Sequence, residues 1–340
     1  YYGGIKKYQW VAMPLALHGV IIRKSGEKVL VNIGEDENDP VFCISDLLIH
    51  LAQEQMAKNA KDVVEGEALN LIVGGRPLAG EEKDAVKANV LKLLDDKYGV
   101  EEEDFLSAEL EIVPAGKARD MGFDRSMILG YGHDDRVCAY PSMMAVLDYE
   151  GTPDYTLCCI ITDKEEIGSV GATGMASHYL ENTVAELYAC TADYCELAVR
   201  RCLRNSRMLS SDVSAGYDPN FASAFEKKNS AFLGRGICFN KFTGSRGKSG
   251  SNDANPEFMA SLRKIMDDAG VAFQTAELGR VDLGGGGTIA YLCAKYGMNV
   301  IDSGIAVLSM HAPYEIISKV DLYEGYRCYC AFLKGAKPVD

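Results

Sequence analysis

The chain has 340 residues, 47% of them apolar, with 35 basic side chains against 49 acidic ones and a formal net charge of −14. That length exceeds one ordinary core and predicts two domains. The acidic balance excludes nucleic acid and anionic membrane surfaces as expected partners, since both call for clustered Lys and Arg.

The sequence opens at Tyr1-Tyr2-Gly3-Gly4 without Met or a signal-like run, which reads as an internal start. Residues 20–22 and 28–33 are β-branched runs and predict strands. Residues 45–58 predict a helix with Ser45 as N-cap and Leu47, Leu48 and Leu51 on one face. A polar loop follows over 59–67. Residues 81–98 predict a second helix closed by Gly99, and 109–113 alternate like a half-exposed strand.

From Asp120 onward, strands alternate with helices. A helix is predicted over 135–149. The run Leu157-Cys158-Cys159-Ile160-Ile161 predicts a central strand buried on both faces. A long amphipathic helix over 182–204 leads to a strand at 208–211. Further strands are predicted at 236–242, 271–275 and 299–302, and helices at 256–269, 287–296 and 318–333. This alternation predicts an α/β domain with a largely parallel sheet. Eleven scattered cysteines without C-x-x-C spacing exclude a zinc ribbon and predict reduced thiols in a cytoplasmic protein. No apolar run approaches the roughly 18 residues of a membrane span.

Four segments carry chemistry: Asp134-Asp135-Arg136, Asp163 to Ser169, Ser211-Asp212-Val213 and Met310-His311. Each falls at a predicted strand or helix end, and together they offer hard oxygens and an imidazole for two metal ions. Asp134, between a Gly-rich turn and a helix, is the expected bridging ligand. Asp135 and Arg136 are expected to buttress it. Of the neighbours Glu165 and Glu166, only one can point at a given ion. Glu166 is assigned as ligand and Glu165 as general base and acid. Asp212 and His311 are further ligands, with Glu315 as a carboxylate partner for the His311 ring. Taken singly, Asp134 could be an N-cap and Asp212 a turn residue; the ordered set points to a metal-activated hydrolase. No H-E-x-x-H, G-x-S-x-G or dinucleotide loop occurs. Gly284 to Gly287 opens a predicted helix, so the amides of Gly286 and Gly287 offer a carboxylate-binding position. Lys241, Arg246 and Lys248 are candidate cations for an acidic substrate side chain.

These segments resemble those of the aspartyl and vacuolar aminopeptidases, a family of dinuclear zinc exopeptidases. The matching pieces are Tyr2-Gly3-Gly4, 44–51, His133-Asp134-Asp135-Arg136, 163–169, Ser211-Asp212-Val213, Gly286-Gly287-Thr288-Ile289 and Met310-His311. The resemblance implies an α/β fold: a three-layer α/β/α catalytic domain with a mixed, largely parallel sheet (1–4 and 114–340). A smaller α+β dimerisation domain (5–113) would interrupt it. It implies two divalent ions, zinc first, with manganese or cobalt as alternatives. Asp134 would bridge them, Glu166 and His311 would complete one ion, and Asp212 would serve the other. It also implies peptide substrates and a large homo-oligomer built from dimers, with His50 reaching a neighbouring subunit's active site. The sequence departs from the family pattern in three places. The first metal histidine of the family lies upstream of Tyr-Gly-Gly, Ser211-Asp212-Val213 lacks the histidine many relatives carry after the aspartate, and His311-Ala312 replaces His-Ser. The alternative expectation is a catalytically decayed, self-assembling relative that binds rather than cleaves.

Overall fold

The computed structural model describes residues 3–244, 249–286 and 288–337. The chain divides into two compact units. The first comprises Ile5–Ala118 with Ala312–Tyr314, and the second comprises Gly3, Gly4, Arg119–His311 and 315–337.

In the first unit, β1 (Leu15–Ile22) lies between β2 (Lys28–Ile33) and, later in the chain, β3 (Ala108–Pro114), antiparallel to both. Ile21, Val31, Ile33 and Val100 form its core. The helix predicted over 45–58 does not form as one element. Only a 3-10 turn at Ile49–Leu51 and α1 (Gln53–Met56) occur, and Leu47, Leu48 and Leu51 are exposed. Apolar spacing alone does not stabilise a helix whose face has nothing to pack against. The second helix, α2 (Ala85–Tyr98), starts four residues later than predicted and ends at Gly99, whose φ of 61° is the left-handed conformation that glycine adopts without penalty.

The second unit contains β4 (Arg119–Met121), β5 (Met127–Gly130), α3 (His133–Leu147), α4 (Tyr179–Ala189), α5 (Glu196–Asn205), β6 (Arg207–Ser210), β7 (Ser214–Ala215), β8 (Ile237–Asn240), α6 (Pro256–Ala269), β9 (Phe273–Thr275), α7 (Ala290–Ala294), β10 (Asn299–Gly304), β11 (Ala306–Leu308), β12 (Glu315–Ser318) and α8 (Lys319–Gly335). One sheet has the order β6-β10-β8-β9 and the other β4-β5-β12-β11-β7. The α/β class with mixed sheets stands. The parallel share is smaller than expected: β10–β6, β8–β9 and β11–β7 are parallel, while β10–β8, β11–β12, β12–β5 and β4–β5 are antiparallel.

Adjacent residues of β10 define the layers, because successive strand side chains face opposite ways. Ile301 joins Phe239, Leu262, Met266 and Phe332 on the α6 and α8 side. Val300 joins Val199, Leu203, Leu292 and Cys293 on the α5 and α7 side. Truncating a fully buried member such as Leu262 to Ala costs about 2–5 kcal/mol. Helix α6 matches its prediction, with Pro256 in the first turn and Gly270 in the left-handed cap. Two predictions fail here. Residues 157–161 form no strand, and Cys158, Ile160 and Ile161 are exposed. The helix predicted over 182–204 is two helices, broken at 190–195 around Thr191 and Asp193, residues that compete poorly in a helix interior. Among the described residues, no helix is long and apolar enough to cross a membrane.

Candidate metal centre

Five short segments of the second unit meet at one place. Asp134 and Asp135 sit in the first turn of α3 with non-helical φ/ψ, and the peptide between them is cis. Glu165 and Glu166 sit on a single 3-10 turn, Glu165–Ile167, bounded by Lys164 and Gly168 in left-handed conformation. Ser169 closes that turn by donating its N–H to the Lys164 carbonyl at 2.8 Å. Asp212 lies just past β6, and His311 follows β11.

The ligand atoms of Asp134, Glu166 and His311 lie within 4.8 Å of one another, and so do those of Asp134, Asp135 and Asp212. Asp134 belongs to both groups. His311 Nε2 is 3.3 Å from Asp134 Oδ2 and 3.4 Å from Glu166 Oε1. The other ring nitrogen, Nδ1, faces the Gly4 carbonyl at 3.0 Å, which can only accept. That bond orients the ring and turns Nε2 toward the two carboxylates, to which the protonated ring donates and where the deprotonated ring would present a lone pair to a metal. A Cβ on Gly3 would come within 3.1 Å of the Glu166 side chain, so glycine lets this segment lie close.

Glu315 was expected to hold the His311 ring. Instead its buried carboxylate holds backbone, accepting the N–H of His311 and of Asp134 at 2.9 Å each. Asp135 was expected to buttress; it stands with Asp134 and Asp212, and its Oδ1 is buried without a hydrogen-bond partner. Nothing in the residue types placed Asp135 beside both Asp134 and Asp212, because neighbours on a regular helix point about 100° apart.

Electrostatics single out the same residues. Burial pushes the carboxyls of Asp135 and Asp212 well above the usual range, and neighbouring carboxylates add to it. Burial, with the charges of Glu166 and Asp134, pushes Glu165 up to about 7. Burial also raises Glu166. The hydrogen bond to Asp134 raises His311 to about 9. Glu165 is in neither ligand group, yet feels Asp134, Glu166 and His311. Closely set carboxylates around one imidazole nitrogen are a donor set suited to divalent cations.

The remaining sequence candidates lie elsewhere or are engaged. His50 is exposed in the 3-10 turn of the first unit. Lys241 pairs with Asp253 and sits 4.0 Å over the Phe242 ring. The Gly286 carbonyl accepts the Gly244 N–H at 3.0 Å, and α7 begins only at Ala290. Tyr2, Arg246, Lys248 and Gly287 lie outside the described residues.

A family model described as aminopeptidase I zinc metalloprotease (M18) matches residues 1–333. A probable M18 family aminopeptidase 1 of Clostridium acetobutylicum is 62% identical over 334 residues, spanning 98% of this chain and 72% of the relative. The crystal structure of aminopeptidase I from that organism superposes with a TM-score of 0.91 at 60% identity, over 98% of this chain and 72% of that one. An M18-family aminopeptidase crystal structure from Thermotoga maritima gives 0.94 at 44% identity, over 99% and 74%.

Proposed function

Because this chain belongs to the M18 family of zinc aminopeptidases, which are hydrolases, we propose that it removes N-terminal residues from peptides at the Asp134-centred cluster. The observation that carries this reading is the sharing of Asp134 by two ligand groups, with Glu165 beside both and inside neither.

Asp134, Glu166 and His311 would hold one ion, and Asp134, Asp135 and Asp212 the other, with zinc the expected metal. When bound, such ions supply a water acidified toward neutrality and polarise the scissile carbonyl. Glu165 takes the proton of the attacking water and returns it to the leaving amine, a role that suits a carboxyl raised to about 7. Gly4 and Glu315 keep the ligands in place, one through the His311 ring and the other through backbone. The acid-rich surroundings favour a positively charged free amino terminus, hence an exopeptidase. An acidic first side chain would be met by Lys241 in exchange for Asp253.

We assign dimerisation to the first unit, whose exposed Leu47, Leu48, Ile49 and Leu51 form an apolar run. His50 stands within that run and is proposed to reach the centre of a neighbouring subunit in a large homo-oligomer. The test is hydrolysis of aminoacyl substrates alongside the same substrates N-acetylated, with zinc added or chelated. Cleavage of the blocked series at equal rates would overturn the exopeptidase reading.

A further inference from the structure

Gly304 is buried in β10, and its missing side chain leaves room for the backbone of Asp212. A Cβ at 304 would stand 1.8 Å from the Asp212 carbonyl oxygen, 2.6 Å from its carbon and 3.2 Å from the Val213 Cα. The φ of Gly304 lies outside the left-handed region, so the close approach, not the backbone conformation, calls for glycine. A Cβ on a strand points out of the sheet and not along it. The Asp212 peptide therefore lies on the face of β10 instead of beside it.

Strand pairing shows where the chain leaves the plane. β6 runs parallel to β10 as far as Ser210, opposite Asp302. Pairing resumes at Ser214, opposite Ala306, four residues further along both strands, as β7 with β11. No residue is inserted or lost, so the interruption is an arch of residues 211–213 passing over Gly304. Both ends of the arch are pinned. Ser210 is held in the β6–β10 ladder. The Ser214 N–H donates to the Ile305 carbonyl at 2.9 Å, and its hydroxyl donates to Asn240 Oδ1 at 2.8 Å. Three residues fixed at both ends have little slack.

We propose that Gly304 is a positioning residue for the metal centre: it lets the Asp212 backbone settle on β10, which sets how far the Asp212 carboxylate reaches toward Asp134 and Asp135. The inference rests on the reading of Asp212 as a ligand. Gly304→Ala would drive the carbonyl back by about 1.2 Å, the step from 1.8 Å to the 3.0 Å below which real Cβ contacts do not fall. Metal–ligand distances tolerate only about 0.2 Å. The displaced carboxylate no longer serves the position it shares with Asp134 and Asp135, while Asp134, Glu166 and His311 are left as they were.

The test measures zinc affinity at both positions by chelator competition, in protein whose folding is checked by circular dichroism. Gly304→Ala should weaken one ion of the two by about 10–100-fold and leave the other unchanged. Gly236→Ala is the structural control. Its Cβ would stand 2.0 Å from the Ala272 carbonyl oxygen, a like clash in a segment without proposed ligands, so it should lower the unfolding temperature with both affinities intact. Adding Asp212→Glu to Gly304→Ala lengthens the side chain by one C–C bond, roughly 1.5 Å, and should recover most of the lost affinity. Alone, Asp212→Glu overshoots and should weaken the same ion at least about tenfold; this variant decides if Gly304→Ala does not fold. Two intact affinities in Gly304→Ala or in Asp212→Glu, or equal weakening of both ions in Gly304→Ala and Gly236→Ala, would overturn the proposal. Asp212→Ala that kept both ions would instead overturn the ligand reading beneath it.

Discussion

Glu315 holds His311 in place through backbone: its Oε1 accepts the His311 N–H at 2.9 Å, while its Oε2 accepts that of Asp134. One buried carboxylate thus sets the spacing of two ligand-bearing segments. Replacing Glu315 with Gln leaves a single acceptor oxygen for two N–H groups. Zinc affinity should drop about 10–100-fold, measured by competition with a chromogenic chelator. Wild-type affinity in Glu315→Gln would remove its positioning role.

Glu165→Gln keeps the shape and loses the proton acceptor. The expected result is a fall in kcat of about 10²–10⁴-fold with zinc content unchanged. Retained hydrolysis at full metal occupancy would show that another group moves the proton.

Sharing of Asp134 makes a stoichiometric prediction. Asp134→Ala should empty both positions, whereas His311→Ala and Asp212→Ala should each lower zinc content by one ion per chain. Elemental analysis after dialysis reads this directly. If Asp134→Ala retained one ion, the bridging assignment would fall.

The chelated protein should lose stability as pH rises from about 5.5 to 8.5. Glu165, raised to about 7, Asp302, raised to about 6, and Asp135 and Asp212, pushed by burial well above the usual carboxylate range, hold protons in the folded state that the unfolded chain has already released. Unfolding therefore becomes easier as pH climbs through those values. His311 acts in the same direction. Its folded value of about 9 gives stability that is complete below its ordinary 6.5 and lost as pH passes 9. Zinc should restore most at the alkaline end. Calorimetry showing a flat or rising transition temperature without metal would contradict this.

Lys241→Met tests acidic preference. With Asp253 no longer competing and the cation gone, kcat/KM for aspartyl and glutamyl substrates should fall about tenfold relative to leucyl ones. An equal effect on all three would mean Lys241 acts on structure through Asp253 rather than on specificity.

Local signals carried well where an element closes on itself. Helix α6 was legible because Phe258, Leu262 and Met266 recur on one face and Pro256 and Gly270 mark its ends. Strand β2 and the end of β1 were legible from their apolar, β-branched runs, but not their pairing. The segment 157–161 was not, since an apolar run specifies burial only when neighbours supply hydrogen-bonding strands. The buried carboxylates of α8 were also hidden: Asp321 accepts the N–H groups of Gly234 and Gly236, a contact with no sequence periodicity.

From its residues alone, this chain yields the α/β class and the order of the acidic and histidine-bearing segments, because helical period, caps and residue chemistry are local properties. Tertiary structure alone decided that Asp135 joins Asp134 and Asp212, that Gly4 orients the His311 ring and that Gly304 lies against the Asp212 backbone. Those facts depend on where segments distant in the chain come to rest, which is set by packing between α3, β6, β10 and β12 and by no pattern within any one of them.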